Sequence, residues 1–116
     1  MIGRQNRFHG YSSLRFVYRA GQMARGPLFA VKALANPRRS DYRAAVVVSR
    51  KVSKSAVVRN RMRRRLYAAI QELDANFNGP HDMVITVFSD AVADTPASEL
   101  AGQLKKQLKA LGVLKK

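Results

Sequence analysis

The sequence predicts one small α/β domain, ordered helix, two or three strands, helix, strand, helix. Three observations carry this. The runs PLFAVKALAN, YRAAVVVSR and DMVITVFS are apolar, of strand length, and bounded by turn residues. A long segment between the second and third repeats its apolar residues at helical spacing. The 116 residues are the length of one domain with a modest core.

Residues 1–10, MIGRQNRFHG, are polar and basic, and are expected to form a flexible arm on a single domain spanning 1–116. Ser12 or Ser13 caps a short helix, LRFVYRA, that stops at Gly21. Leu14, Val17 and Tyr18 share one face of it. GQMARGP reads as a loop. In PLFAVKALAN, Phe29, Val31 and Ala33 fall on one side of a strand, and Leu28, Ala30 and Leu34 on the other. Pro37 breaks that strand, and Asn36, Ser40 and Asp41 supply turn chemistry. YRAAVVVSR reads as a strand buried on both faces. The long helix starts near Ser53 or Ser55 and runs to about Phe77, where Asn78-Gly79-Pro80 ends it. DMVITVFS is a further apolar strand. Asp94 or Thr95 caps a last helix, with Pro96 in its first turn, that continues to Gly112.

Charge narrows the function. The net charge is +15, and it is unevenly spread. Residues 1–71 hold 17 Lys and Arg against one acid, Asp41, whereas residues 72–116 hold 5 against 6 acids. A field of one sign repels itself in the folded state, so a polyanionic partner explains it better than stability does. Nucleic acid is the first such partner, an anionic membrane surface the second. There is no cysteine, hence no disulfide and no thiolate metal site, which fits a reducing compartment; a cytoplasmic location is expected. No apolar run approaches the roughly 20 residues needed to span a bilayer. The N-terminus lacks the apolar core of a secretory signal.

The long helix concentrates the cations. At about 100° per residue, Met62, Leu66, Ala69, Ile70, Leu73 and Phe77 form one stripe suited to packing on a sheet. Arg61, Arg64 and Arg65 point away from it. Arg59 and Arg63 border the stripe, and Tyr67 extends that border. These cations sit in the N-terminal half, where they oppose the helix dipole, and the acids Glu72 and Asp74 come late, where they do the same. The order suits phosphates approaching the first turns, where free N–H groups and guanidinium forks both favour an anion. Arg meets phosphate oxygens two at a time and stacks on bases. Asn60 is placed to read a base edge or a 2′-hydroxyl, against the alternative of a plain solvated residue. Arg50, Lys51 and Lys54 lead into the helix, giving eight basic residues between Arg50 and Arg65 with no acid among them.

With these residues in view, AVVVSRKVSKSAVVRNRMRRRL resembles the signature of the bacterial ribonuclease P protein component. The markers are Arg59-Asn60-Arg61, then Met62-Arg63-Arg64, preceded by Ser49-Arg50-Lys51 at the strand end. The resemblance implies a two-layer α/β sandwich similar to a domain of ribosomal protein S5, with a left-handed βαβ crossover. It implies a protein subunit that binds a catalytic RNA and assists removal of the 5′ leader from precursor tRNA. On that reading Arg50, Lys51, Lys54, Arg59, Asn60, Arg61, Arg63, Arg64 and Arg65 contact the RNA subunit. Leu14, Tyr18, Lys32 and Tyr67 line the leader cleft. Family members often carry aromatic residues at the places of Leu14 and Lys32.

The residues themselves offer little catalysis. The basic half holds one carboxylate, Asp41, in a turn. His9 lies in the arm, and His81-Asp82 reads as a polar turn. No Ser-His-Asp set, phosphate loop or metal-spaced cluster occurs. No catalytic residue and no cofactor or metal held by side chains is therefore expected, with Mg²⁺ expected in the holoenzyme through its RNA. Two rivals remain. A ribosomal or ribosome-assembly protein would share the composition but not the Arg-Asn-Arg motif. A peripheral membrane protein would need bulky apolar residues exposed beside the arginines, and here those residues are needed for the core.

Overall fold

The computed structural model describes residues 3–8 and 10–115. In chain order the elements are α1 (Ser12–Ala20), β1 (Gln22–Arg25), β2 (Phe29–Ala35), β3 (Arg43–Val47), α2 (Ala56–Glu72), β4 (His81–Val87) and α3 (Ala97–Ala110). Single 3₁₀ turns occupy Arg4–Asn6, Asp74–Asn76 and Asp90–Ala93. The strands form one mixed sheet in the order β1-β2-β4-β3. β1 and β4 are both antiparallel to β2, while β3 runs parallel to β4, with α2 making the crossover between them.

Alternation along the strands divides the sheet into two faces. Phe29, Val31, Ala33, Ala44, Val46, Met83, Ile85 and Val87 join Met62, Leu66 and Ile70 of α2 and Leu100, Leu104 and Leu108 of α3 in the main core. Burying a Leu or Ile side chain contributes about 1.5–3 kcal/mol, so this layer dominates stability. The other face carries Ala30, Lys32, Val84 and Thr86, and α1 lies across it through the fully buried Val17. Gly21 ends α1 because the chain passes too close for a side chain: a Cβ there would stand 2.6 Å from the Val17 carbonyl oxygen.

Several elements differ from the sequence reading. GQMARGP is not all loop: Gln22–Arg25 forms the edge strand β1, paired from Gln22↔Ala33 to Arg25↔Ala30. A four-residue strand of mostly exposed residues carries no period-2 signal, so only its pairing with β2 defines it. β3 is buried on one face rather than two. Ala44 and Val46 enter the core, while Arg43, Ala45 and Val47 stay half-exposed, because α1 packs on β2 and β4 and leaves β3 uncovered. α2 stops at Glu72, short of Phe77, which instead bridges to Leu114 and meets the Tyr42 ring at 4.6 Å. Of the alternative caps, Ser55 is used, its Oγ accepting from Val58 N–H at 3.3 Å. α1 and α3 have no side-chain cap; Thr95 donates its hydroxyl to the Ala91 carbonyl instead.

Within the segment expected to form a flexible arm, Asn6 to Phe8 contact the domain. Asn6 is buried and donates its Nδ2 to the Tyr42 carbonyl at 2.9 Å. Arg7 bridges to Ala44, and Arg39 donates to the Gln5 carbonyl at 2.6 Å. The segment thus covers the outer edge of β3, which would otherwise offer unpaired backbone groups. His9 lies outside the described residues.

One polar junction ties β3 and β4 to the turn after β2 at the sheet's end. Asp82 of β4 accepts from Arg43 Nε at 2.8 Å, Arg43 Nη2 at 2.7 Å and Asn36 Nδ2 at 2.9 Å. The Phe8 ring caps the Arg43 guanidinium at 4.7 Å. Burial by itself would push the Asp82 carboxyl up, but the hydrogen bonds from Arg43 and Asn36 and the charges of Arg43 and Arg39 outweigh it and hold it below the usual carboxylate range. The ionised form therefore stabilises the fold above the ordinary carboxylate value of about 4, and that contribution is lost as pH falls through the lower folded value. The melting temperature should hold from neutrality to about pH 4 and drop below it. In Asp82→Asn this part of the acid dependence should vanish, at a cost of about 3–5 kcal/mol at pH 7 from the unpaired Arg43. An unchanged acid profile in the variant, followed by circular dichroism, would refute the assignment.

Candidate nucleic-acid interface

The surface begins where β3 ends. Val52 N–H donates to the Ser49 carbonyl at 3.1 Å, and Ser55 N–H to Ser53 Oγ at 3.3 Å. These bonds fold Ser49–Ser55 into a tight connection with Arg50, Lys51 and Lys54 exposed on it. α2 follows, with no acid in its first turn and no base in its last. Burial of Met62, Leu66, Ala69 and Ile70 fixes the rotation of the helix and turns Asn60, Arg61 and Arg64 to solvent.

The arginines are not equivalent. Arg59 is half-buried and donates Nη1 to the Ser53 carbonyl at 2.8 Å, which braces the β3–α2 connection. Arg63 donates to Asn60 Oδ1 at 3.1 Å, so Asn60 presents its amide N–H₂ outward. Arg65, expected to point away from the core, does not join the exposed set. Its guanidinium donates to the Val92 carbonyl at 2.5 Å and also to that of Thr95, clamping α2 to the turn before α3. Helical spacing could not foresee this, because the acceptors lie about 30 residues downstream.

None of these cations is neutralised by an acid. Among the described residues the ion pair formed is Arg43–Asp82, at the other end of the sheet from the Arg50 connection. Arg50, Lys51, Lys54, Arg59, Arg61, Arg63 and Arg64 thus make a basic ridge, without acid partners, from the β3–α2 connection along the N-terminal half of α2. Val57, Asn60, Arg63, Arg64 and Tyr67 line a shallow groove along it.

A second surface lies on the α1 face. Lys32 donates Nζ to the Tyr18 carbonyl at 2.5 Å and stands 5.8 Å from the Tyr18 ring. The Tyr18 hydroxyl lies 3.4 Å from Thr86 Oγ1, and Leu14 is half-buried along the same helix. Tyr18 and Lys32 are thus brought together, whereas Tyr67 is not with them. Its hydroxyl accepts from Val46 N–H at 3.1 Å, sealing the β3 edge beside α2. Sequence reasoning missed Met23, Arg25, Thr86 and Phe88. Met23 and Arg25 face the same way as Lys32 and Ala30 through the β1–β2 register, and Phe88 packs against Arg25. The signal was available in part: Phe88 is an aromatic at the end of an apolar strand.

The described residues contain no cluster of three or more metal-ligating side chains. His81 contacts the Gly79 carbonyl at 3.1 Å, a turn contact, and Asp82 is committed to Arg43 and Asn36. Asp41 is exposed in its turn. What this arrangement offers chemically is phosphate and base recognition: guanidinium forks beside a helix N-terminus, and aromatic rings beside cations on an open sheet. No helix among the described residues is long and apolar enough to cross a membrane.

The chain is similar to known proteins in sequence and in fold. A family model described as Ribonuclease P matches residues 2–112. The ribonuclease P protein component of Pseudanabaena sp. (strain PCC 6903) is 36% identical over 115 residues, covering 98% of this chain and 97% of that one. That of Chloroflexus aurantiacus (strain ATCC 29366 / DSM 635 / J-10-fl) is 37% identical over 76 residues, 66% of this chain and 56% of that one. The fold matches the Staphylococcus aureus RNase P protein with a TM-score of 0.82 at 19% identity, over 95% of this chain and 98% of that one. The Thermotoga maritima RNase P protein matches with a TM-score of 0.77 at 17% identity, over 95% and 98% of the two chains.

The division among the arginines has a direct test. Arg65→Ala should lower unfolding stability by about 1.5–3 kcal/mol, through two carbonyls left without a charged donor. Arg61→Ala with Arg64→Ala should change it by no more than about 0.5 kcal/mol. Denaturant titrations of both variants read this out, and equal stabilities would overturn the clamp.

Proposed function

This chain belongs to the ribonuclease P protein component family, and from that premise we propose that its exposed cationic ridge binds the catalytic RNA subunit while the open α1 face holds the 5′ leader of precursor tRNA. As a member of that family it is the protein subunit of an endoribonuclease that processes tRNA, with the ribonuclease P RNA as its partner. The observation that carries the finer reading is the ridge itself: seven cations from Arg50 to Arg64, on one surface, none paired with an acid. In water such an array repels itself, and a phosphate backbone turns that repulsion into binding through counterion release.

On this reading Arg61 and Arg64 grip phosphates of the RNA subunit, and Arg50, Lys51 and Lys54 extend the contact past the helix N-terminus. Asn60 presents its amide to a base edge or a 2′-hydroxyl. Arg59 and Arg63 hold the ridge in shape while keeping part of each fork free. Arg65 acts from within, fixing α2 to the next turn. Tyr18 and Lys32, with Leu14 behind them, receive the leader: the ring offers a stacking surface and the ammonium a phosphate contact. Tyr67 supports the ridge from the β3 edge. Bond cleavage is left to the RNA, with Mg²⁺ held by RNA oxygens. A location in the cytoplasm, where precursor tRNA is processed, follows from the same reading.

The experiment adds the protein to a ribonuclease P RNA at low Mg²⁺ and follows cleavage of precursor tRNA. Restored cleavage is expected, and its absence would remove the proposal. In the same assay Arg61→Ala with Arg64→Ala should weaken binding to the RNA subunit by roughly tenfold or more, at about 1 kcal/mol or more per charge-assisted contact. Affinity of the unaltered protein should fall linearly on a log–log plot against salt, with a shallower slope in the double variant. A flat salt response would show that the ridge does not meet phosphates.

A further inference from the structure

The two edges of the sheet are finished differently. On β3 the N-terminal segment bridges to Ala44 through Arg7, and the Tyr67 hydroxyl accepts from Val46 N–H at 3.1 Å. β1, at the other end of the order β1-β2-β4-β3, pairs with β2 alone among the described residues. Its free groups follow from the hairpin. Gly26 N–H donates to the Phe29 carbonyl at 3.0 Å, which makes Gly26 and Phe29 a bonded pair. Bonded and non-bonded pairs alternate along an antiparallel ladder. With Arg25↔Ala30, Ala24↔Val31 and Met23↔Lys32 in register, Ala24 turns its backbone groups to β2, while Met23 and Arg25 turn theirs outward. The edge therefore presents an N–H and a C=O from Met23 and again from Arg25, about 6.8 Å further along.

This edge is preformed and cationic. Gln107 of α3 is buried and donates Nε2 to the Phe29 carbonyl at 3.0 Å, which fixes the hairpin against the helix. Glycine is needed at that seam, since a Cβ on Gly26 would stand 2.5 Å from Gln107 Nε2. Gln22, Met23 and Arg25 are exposed, Met23 at 55%. Arg25 lies in the strand itself, Lys32 is opposite Met23, and Arg19 stands in the last turn of α1 just before it. Residues 1–40 contain no acid. An unpaired strand edge is a template for another chain, and a charge on it selects which chain. Here the charge repels a cationic strand and suits an anionic one.

We propose that the outer edge of β1 docks an extended acidic segment of another protein, which joins the sheet as an added strand through the backbone of Met23 and Arg25. The inference goes beyond the RNA-binding reading and does not depend on it. Donors and acceptors in alternation match a second polypeptide backbone. Phosphate oxygens accept from N–H groups but give nothing to the two carbonyls, so a nucleic acid meets only half of the edge. A second copy of this chain would set one Arg25-bearing edge against another, and a net charge of +15 against the same. An acid on the added strand opposite Arg25 forms a cross-strand ion pair instead.

The test uses the full chain and a synthetic peptide of alternating Val and Glu. Amide hydrogen exchange should slow at Met23 and Arg25 when the peptide is added, and stay as it was at Ala24, already bonded to β2. The same peptide with Lys in place of Glu should give no protection. Met23→Pro removes one outward N–H, a change that an edge strand tolerates, and should weaken the acidic peptide by roughly 2- to 12-fold. Met23→Ala, which keeps that N–H, should bind as the unaltered protein does. Circular dichroism checks the fold of each variant, and if Met23→Pro misfolds, the exchange pattern of the unaltered protein decides alone. A peptide that binds without slowing Met23 and Arg25 is held by charge elsewhere, and the site falls. Equal protection of the two amides by a single-stranded RNA gives the edge to nucleic acid and overturns the proposal. Protection that grows with protein concentration in the absence of peptide assigns the edge to a second copy, with the same result.

Discussion

The burial of Met62, Leu66, Ala69 and Ile70 against the sheet governs most of what this molecule presents to solvent. A helix with an apolar stripe on one side has one favourable rotation, and that rotation decides which arginines reach water. Arg61 and Arg64 are outward because Leu66 and Met62 are inward. The stripe opposes a sizeable penalty. The cations crowd the positive end of the helix dipole, no acid compensates them, and their mutual repulsion favours unfolding. The main core, shared by three strands, α2 and α3, offsets this. A cationic surface at odds with local helix electrostatics is tolerable because the packing beneath it is independent of that surface.

Three contacts brace the ridge. Ser55 caps the helix, Arg59 binds the connection that precedes it, and Arg65 binds the turn before α3. The Tyr67 hydroxyl joins α2 to β3 from the side. Arginines of one helix therefore divide the labour: two brace the scaffold and the exposed ones keep their donors free. A flexible array would lose backbone as well as side-chain entropy on meeting a polyanion, whereas a braced backbone limits the loss to the side chains.

The sheet separates two surfaces. α2 and α3 cover the core face of β2, β3 and β4, and α1 covers only β2 and β4 on the other. The uncovered part leaves Arg43, Ala45 and Val47 half-open and lets Tyr18, Lys32, Arg25 and Phe88 reach solvent on the same side. The free end of the sheet is secured by Asp82, Arg43 and Asn36, and the outer edge of β3 by the N-terminal segment. The open face is thus held at its margins, with Arg7 bridging to Ala44 and the Tyr67 hydroxyl accepting from Val46 N–H on the outer edge of β3.

Periodicity and charge by themselves determined the α2 stripe, the strands β2 and β4, the last helix, and the cationic segment from Arg50 to Arg64. Each of those depends on residues a few positions apart, where spacing translates directly into a face. Pairing across long separations was decided only by the tertiary structure. Gln22–Arg25 became a strand because β2 lies beside it, and the basic N-terminal segment docked because Asn6 meets the Tyr42 carbonyl 36 residues away. Arg65 turned inward to carbonyls that helical spacing cannot see, and the Tyr67 hydroxyl met the Val46 N–H across 21 residues. Phe88 met Arg25 only once β1, β2 and β4 were side by side. Local sequence sets which groups are available, but a donor's acceptor or a ring's neighbour is chosen by three-dimensional proximity, and no short-range pattern encodes it.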